Sequence, residues 1–304
     1  MDDATGPVVI AVDGSPHSAR TLAWGADEAA LRGAAALVVC AYQEPQELTG
    51  WGWYPYVPDG VSFDAEARES LAGAVRVARE RRPGLDVEGR LLHGPTVPTL
   101  LGVSAEAQLL VVGGGERGPR LPLGSVVSHV TAHAECPVAV VRGAAPDDAS
   151  GPVVVGVDGS RASLAAASTA SREAAPRGVP LVVVHARPPI AEPYGRGVRP
   201  PPVTGDEAVP DDPAHRRVSQ VADDLRAAQP ALRVEVVLLD DAPAHALLSA
   251  APEAQLVVVG SRGLGSFRGM LLGSVSNEVV RRAATTVLVS RGAVPASTPG
   301  AAGG

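Results

Sequence analysis

Apolar residues fall in short runs along this chain, separated by alanine-rich stretches whose apolar positions recur at helical spacing. In the N-terminal half, PVVIAV predicts a first strand, and HSARTLAWGADEAALRG predicts a helix that stops on a glycine. ALVVCAY predicts the second strand, DAEARESLAGAVRVARERR a helix stopped by Pro-Gly, and LDVEGRLL the third strand. A short helix near 96–106, the strand QLLVVG, a helix near 124–134 and the strand PVAVVR complete the unit. Continuous Val/Ile/Leu strands alternating with helices predict an α/β fold, a parallel sheet with helices on both faces. Such sheets bind ligands beyond the C-terminal ends of their strands, where the strand order switches. The loops after strands one, two and four are therefore the places to look.

The pattern then repeats. GPVVIAVDGS (6–15) returns as GPVVVGVDGS (151–160), LDVEGRLL (85–92) as LRVEVVLL (232–239), and AEAQLLVVGG (105–114) as PEAQLVVVGS (252–261). The end of LPLGSVVSHVTAHAECPVAVVRG (121–143) returns in LLGSVSNEVVRRAATTVLVSRG (271–292). The expected organisation is two tandem domains, 1–145 and 151–292, joined near APDDASG, with a disordered tail over 293–304.

Composition narrows the chemistry. All 26 basic residues are arginine, which excludes a Walker-type lysine, a Schiff-base lysine and a lysine general base. The net charge of −7 gives no electrostatic reason to bind nucleic acid or an anionic membrane. The expected location is cytoplasmic: no signal-peptide pattern opens the sequence, and no run approaches the roughly 20 apolar residues of a membrane span. The two cysteines, Cys40 and Cys136, suit a reducing compartment and have no metal-ligand spacing.

Two loops carry candidate chemistry. Val-Asp-Gly-Ser follows strand one in both copies, at 12–15 and 157–160. Asp158 is a candidate to accept a ribose hydroxyl or help hold a phosphate-bound metal; taken alone, the motif reads better as a helix N-cap. After strand four of the second copy comes Gly260-x2-Gly263-x9-Gly273-Ser274. Gly260 and Gly263 allow bare backbone near a ligand, and Gly273 and Ser274 open a helix whose N–H groups and dipole favour an anion. Arg262 and Arg268 supply the cationic charge that a Walker lysine would otherwise give.

On these residues the chain resembles a tandem universal stress protein over about 6–143 and 151–292. VDGS, VVVHA (182–186), VVVGSRG (257–263) and above all the G-x2-G-x9-G-S pattern of ATP-binding members carry the likeness. The resemblance implies two five-stranded parallel α/β domains with an adenine nucleotide, ATP, ADP or AMP, at the strand ends. It implies that Gly156, Asp158 and Gly159 line the nucleotide and that backbone near Ala186 meets adenine. Gly260, Ser261, Arg262, Gly263, Leu264, Gly265 and Ser266, with Gly273, Ser274 and Val275, would wrap the ribose and phosphates. A Mg²⁺ near Asp158 is compatible with that arrangement. The resemblance also implies that the last strands, PVAVVRG and TVLVSRG, pair across a pseudo-twofold, and a further homodimer is the expected assembly.

The first copy departs from the pattern. Ala11 stands where the second has Gly156, and ten residues separate Gly113 from Gly124 against twelve between Gly260 and Gly273. Counting two residues on from Gly113 places Glu116 where the second copy has Gly263, a carboxylate beside the phosphates. Asp13, Gly113, Gly124 and Ser125 remain as a weak second site, with Arg117 and Arg120 as compensating charges. Nucleotide is therefore expected in the C-terminal half.

Remaining features add less. The aromatic stretch 47–63 reads as a lid or contact for a protein partner, and its counterpart 186–207 as disordered. His129 and His133 lie four apart on a helix but have no third metal ligand, so two solvated histidines are expected. His185 is expected to matter through its backbone, and Gln108 and Gln255 to be surface residues without a ligand role. No base accompanies Ser15 or Ser160, so no catalytic residue is assigned. The functional expectation is a regulatory adenine-nucleotide sensor of stress, with a slow ATPase or phosphotransferase and a nucleotide-free scaffold as alternatives.

Overall fold

The computed structural model describes residues 6–43, 63–115, 124–143, 151–187, 203–204, 213–263 and 272–291. In the first half, β1 (Val8–Val12), α1 (Ser18–Arg32), β2 (Ala36–Tyr42), α2 (Phe63–Arg81) and β3 (Val87–His93) come first. They are followed by α3 (Thr96–Ser104), β4 (Leu109–Gly113), α4 (Ser125–His133) and β5 (Val138–Val141). In the second half, β6 (Val153–Gly156), α5 (Arg161–Arg177), β7 (Leu181–Arg187), β8 (Val203–Thr204) and α6 (Pro213–Ala228) precede β9 (Val234–Asp240). α7 (Pro243–Ala250), β10 (Leu256–Gly260), α8 (Ser274–Arg282) and β11 (Thr286–Ser290) end it.

The described strands form one sheet, ordered β3-β2-β1-β4-β5-β11-β10-β6-β7-β9-β8. Apart from the two-residue β8, each half is parallel, as the βαβ alternation requires, and the order reverses between β1 and β4 and between β6 and β10. The halves join where β5 and β11 run antiparallel, with Val140 opposite Val287 and Val138 opposite Val289. That join removes the two edges the last strands would otherwise expose. One piece of the connection expected to be disordered is a strand: Val203 and Thr204 pair antiparallel with Leu238 and Val237 of β9.

Strand residues alternate between two cores. Ile10, Val38, Leu181 and Val258 pack beneath α1, α2, α5 and α6, while Val9, Val39, Val182 and Val257 face α3, α4, α7 and α8. Both faces are dry, which is why the strands lack polar alternation. Gln108 and Gln255 have a structural task at the opposite end from the switch-point loops. Each donates its side-chain amide to a carbonyl that opens its half, Gly6 at 2.7 Å and Gly151 at 2.6 Å.

A closed ring of charge lies between α1 and α5, across the pseudo-twofold. Arg32 binds Glu28 at 2.6 Å and also Glu173; Arg177 binds Glu173 at 2.5 Å and also Glu28. Glu28 and Glu173 are 2% and 5% exposed, so neither carboxylate has water as a partner to fall back on. Burial raises the pKa of both carboxyls, and the two arginines oppose that rise. Burial prevails at Glu173, which together with the Glu28 charge is pushed up to about 7, while the arginines hold Glu28 below its usual range. The pair is best described as two facing acids that lose their protons in two separated steps.

Candidate functional site

The switch in strand order places the ends of β6 and β10 side by side, and the loops that leave them diverge around a cleft of about 270 Å³. Asp158 leaves β6 into a turn that its own carboxylate braces. Oδ1 accepts the Ser160 N–H at 2.9 Å, while the Asp158 N–H donates to Ser163 Oγ at 3.2 Å. The N-cap of α5 is Ser160, whose Oγ accepts the Ser163 N–H at 3.2 Å. The capping expected of this motif is thus performed by Ser160, which leaves the other Asp158 oxygen, Oδ2, aimed at Gly263. A Cβ placed on Gly263 would lie 2.6 Å from it.

Gly260 is less forgiving, because a Cβ there would lie 2.9 Å from the Ala162 backbone carbonyl, which cannot swing aside as a side chain can. The loop from Gly260 to Gly273 is closed at its base: the Gly273 N–H donates to the Ser261 carbonyl at 2.8 Å, and the Ser261 N–H donates to Ser290 at 3.1 Å. Ser276 Oγ donates to the Gly260 carbonyl at 2.6 Å. Gly273 N-caps α8 with extended backbone, and the first turn, Ser274 to Ser276, lines the cleft. That turn holds no acidic side chain, so the N–H groups that a helix start leaves without intrahelical partners and the helix dipole present positive potential to the cavity.

The opposite wall is apolar. Val184, Ala186, Pro243 and Leu247 line it, and Gly156 lies against Leu247, whose methyl a Cβ would meet at 2.7 Å. His185, which lines the cleft, contributes more than backbone: its Nδ1–H donates to the Val157 carbonyl at 2.6 Å. The cleft therefore combines an apolar lining that includes Ala186 with Asp158, Arg262 and the N-terminus of α8.

Of the expected site residues, Gly156, Asp158, Ala186, Gly260, Arg262, Gly263, Gly273, Ser274 and Val275 meet around one cavity. Gly159 forms the turn with φ +82°, and Ser261 is buried as the tie at the loop's base. Leu264, Gly265, Ser266 and Arg268 lie outside the described residues, as do Arg117, Arg120, the aromatic stretch up to residue 62 and the tail. Ser163, Ser276, Pro243 and Leu247 were not anticipated. The one available signal was Asp-Gly-Ser-x-x-Ser, which occurs at 13–18 as well as at 158–163.

The first half also has a cleft, of about 400 Å³, lined by Asp13, Ser15, Ser18, Ala41 and Gly113 among others. Asp13 accepts the Ser15 N–H at 3.0 Å and the Ser18 hydroxyl at 2.5 Å. Burial pushes its carboxyl up, but these hydrogen bonds outweigh burial and hold it below its ordinary value. Gly124 N-caps α4 and Ser125 is its first residue, matching Gly273 and Ser274. Its lining differs from that of the second cleft: His17, Arg20 and Arg142 enter it, and Val127 stands in place of Ser276.

The two histidines on α4 stack at 6.1 Å between ring centroids, each Nδ1 on the carbonyl four residues earlier. Cys40 and Cys136 are buried thiols, and burial pushes Cys136 up to about 12. No helix among the described residues is long and apolar enough to cross a membrane.

Comparison with known proteins adds three findings. The model of the universal stress protein family matches twice, over residues 5–142 and 150–291. A universal stress protein of Mycobacterium tuberculosis is 36% identical over 293 residues, covering 93% of this chain and 96% of its own length. Another from the same organism is 34% identical over 298 residues, with the same two coverages. Among solved structures, a universal stress protein from Archaeoglobus fulgidus superposes with a TM-score of 0.70 at 19% identity, covering 94% of this chain and 96% of that one. At that identity the likeness concerns the fold alone.

Proposed function

We propose, from the premise that this chain belongs to the universal stress protein family in both halves, that it is a regulatory adenine-nucleotide-binding protein. The nucleotide is held mainly by the domain spanning about 151–292. The observation that carries this reading is the convergence on one cavity of Gly260, Gly263, Asp158 and the α8 N-terminus. Side chains at Gly260 and Gly263 would fill the space in which backbone meets Ala162 and Asp158.

The residues present fit the ligand class at both ends. Adenine is a flat apolar ring with polar edges, suited to the wall near Ala186 and to the backbone at the end of β7. Ribose hydroxyls suit Asp158. Phosphates suit the first turn of α8 and Arg262, where backbone amides and a guanidinium replace the missing lysine. Asp158 is the one carboxylate among the described residues lining this cleft, which suits a Mg²⁺ shared with phosphate oxygens and not a protein-built metal cage. No nucleophile and base stand paired among those residues, so occupancy, and not turnover, carries the signal.

Mass spectrometry of nucleotide released from the purified, denatured protein tests the reading. It predicts adenine nucleotide near one equivalent per chain, and its loss in Gly263→Glu. A protein that carries none, and binds none on titration with ATP, is the nucleotide-free scaffold instead.

A further inference from the structure

α8 begins at the second cleft and runs nine residues, about 13 Å, to the interface between the halves. There it meets Arg142, the residue after β5 of the other domain. Arg142 Nη1 donates to the Arg281 carbonyl, in the last turn of α8, at 2.6 Å. The same guanidinium donates through Nη2 to the Gly114 carbonyl at 3.3 Å and lines the first cleft. Its buried Nε meets no acceptor among the described residues. Gly143 fixes the position of this strand end: φ is +71°, and a Cβ would lie 2.0 Å from the Ala284 carbonyl oxygen just past α8. From within the first cleft, Arg20 holds the Gly143 carbonyl at 2.9 Å.

The pseudo-twofold supplies the mate. Arg291 donates to the Thr131 carbonyl near the end of α4 at 2.9 Å, and the N-terminal turn of α4 lines the first cleft. Each cleft therefore stands at one end of a short helix whose other end is held by an arginine of the opposite domain.

We propose that Arg142 is a positioning residue for nucleotide in the second cleft, acting from the opposite domain through α8, and that it couples the two clefts. The proposal rests on the reading of the second cleft as a nucleotide site. A cation at the C-terminus of a helix and an anion at its N-terminus stabilise the same dipole, and a capped last turn keeps a nine-residue helix from fraying. Linkage makes the effect reciprocal: phosphate at Ser274–Ser276 holds Arg142 on α8. An arginine whose terminal nitrogens are held by the Arg281 and Gly114 carbonyls has fewer donors left for an anion in the first cleft, so filling the second cleft disfavours phosphate in the first.

Titration of the full chain with ATP, followed by calorimetry, tests this. Arg142→Ala raises the Kd about two- to fivefold, although Arg142 is not among the residues lining that cleft. Arg142→Lys, which keeps the charge, restores most of the affinity. Hydrogen–deuterium exchange supplies an arm that needs no change at Arg142. ATP slows exchange in the last turn of α8 and at 113–115 of the unaltered chain, and both effects vanish in Gly263→Glu. Equal Kd values for the unaltered chain and Arg142→Ala, or protection at 113–115 that persists in Gly263→Glu, overturn the coupling and leave the nucleotide reading standing. An unaltered chain that binds no ATP removes the nucleotide reading, and the coupling with it.

Discussion

At the interface, Glu28 and Arg32 of one half face Glu173 and Arg177 of the other, and each arginine touches both carboxylates. At the clefts the same symmetry operation relates unlike residues, Ser276 to Val127 and Gly156 to Ala11, and counting along the sequence sets Glu116 against Gly263. One repeat has thus kept its pairing surface and changed its binding surface. The difference separates two demands on a duplicated domain. A ring of two buried carboxylates and two half-buried arginines works only if both copies supply their share, since losing one member strands the others. A cleft makes no such demand on its twin, and one copy can drift while the fold stands.

The largest test concerns the symmetric part. Arg32→Ala and Arg177→Ala each leave two buried carboxylates facing a single cation, and each should cost about 3–5 kcal/mol in urea unfolding. If the two differ by more than about 2 kcal/mol, beyond the usual context scatter, the ring is not the symmetric device its geometry describes.

The next test concerns the asymmetric part. Gly263→Glu sets a carboxylate against Asp158 and should weaken ATP binding at least about a hundredfold, near 3 kcal/mol. The reverse change, Glu116→Gly, should not build an equal site, because the first loop remains two residues shorter, ten against twelve. A first domain that gained full affinity from Glu116→Gly would show that charge alone, and not loop length, distinguishes the clefts.

The ring also predicts a pH dependence. The Glu173 carboxyl titrates near 7 in the folded protein, above its ordinary 4.5. The folded state then holds more protons between those values, and stability falls as pH rises from about 4.5 to 7, with a slope of at most about one proton. Glu28 is shifted the other way, so its contribution is present above about 4.5 and is lost as pH falls below that. Stability from the ring should peak between the two limbs. Glu173→Gln should flatten the limb from 5 to 7 in thermal unfolding; an unchanged slope would place the titration elsewhere.

The smallest effect is expected from Ser276→Val, which copies Val127 of the first half. It removes the hydrogen bond to the Gly260 carbonyl and should lower ATP affinity about fivefold, near 1 kcal/mol. No effect would mean that Val127 contributes nothing to the difference between the clefts.

Much of this could be read from the residues in order. Uninterrupted strands such as LVVVG required a sheet covered on both faces, and the repeat at 6–15 and 151–160 required two such units. The glycine spacing from 260 to 273 marked the second cleft because close backbone approach needs missing side chains. What stayed hidden was what the pseudo-twofold brings together. Nothing along the sequence singles out Glu28 and Arg32, four apart on α1, and only the pairing of β5 with β11 brings them against their counterparts. Arg142 and Arg291 likewise look like strand-end residues until the other domain's helix carbonyls arrive. Ser163 is marked in the sequence only by the repeated Asp-Gly-Ser-x-x-Ser pattern, and its role emerges when the Asp158 turn folds onto it.

The most direct measurement is calorimetric titration of the full chain with ATP, alongside Gly263→Glu and the first-domain variant Asp13→Ala. Asymmetric binding predicts one equivalent of tight binding that Gly263→Glu abolishes and Asp13→Ala leaves in place. Two equivalents of equal affinity, or tight binding that survives Gly263→Glu and disappears with Asp13→Ala, would contradict it.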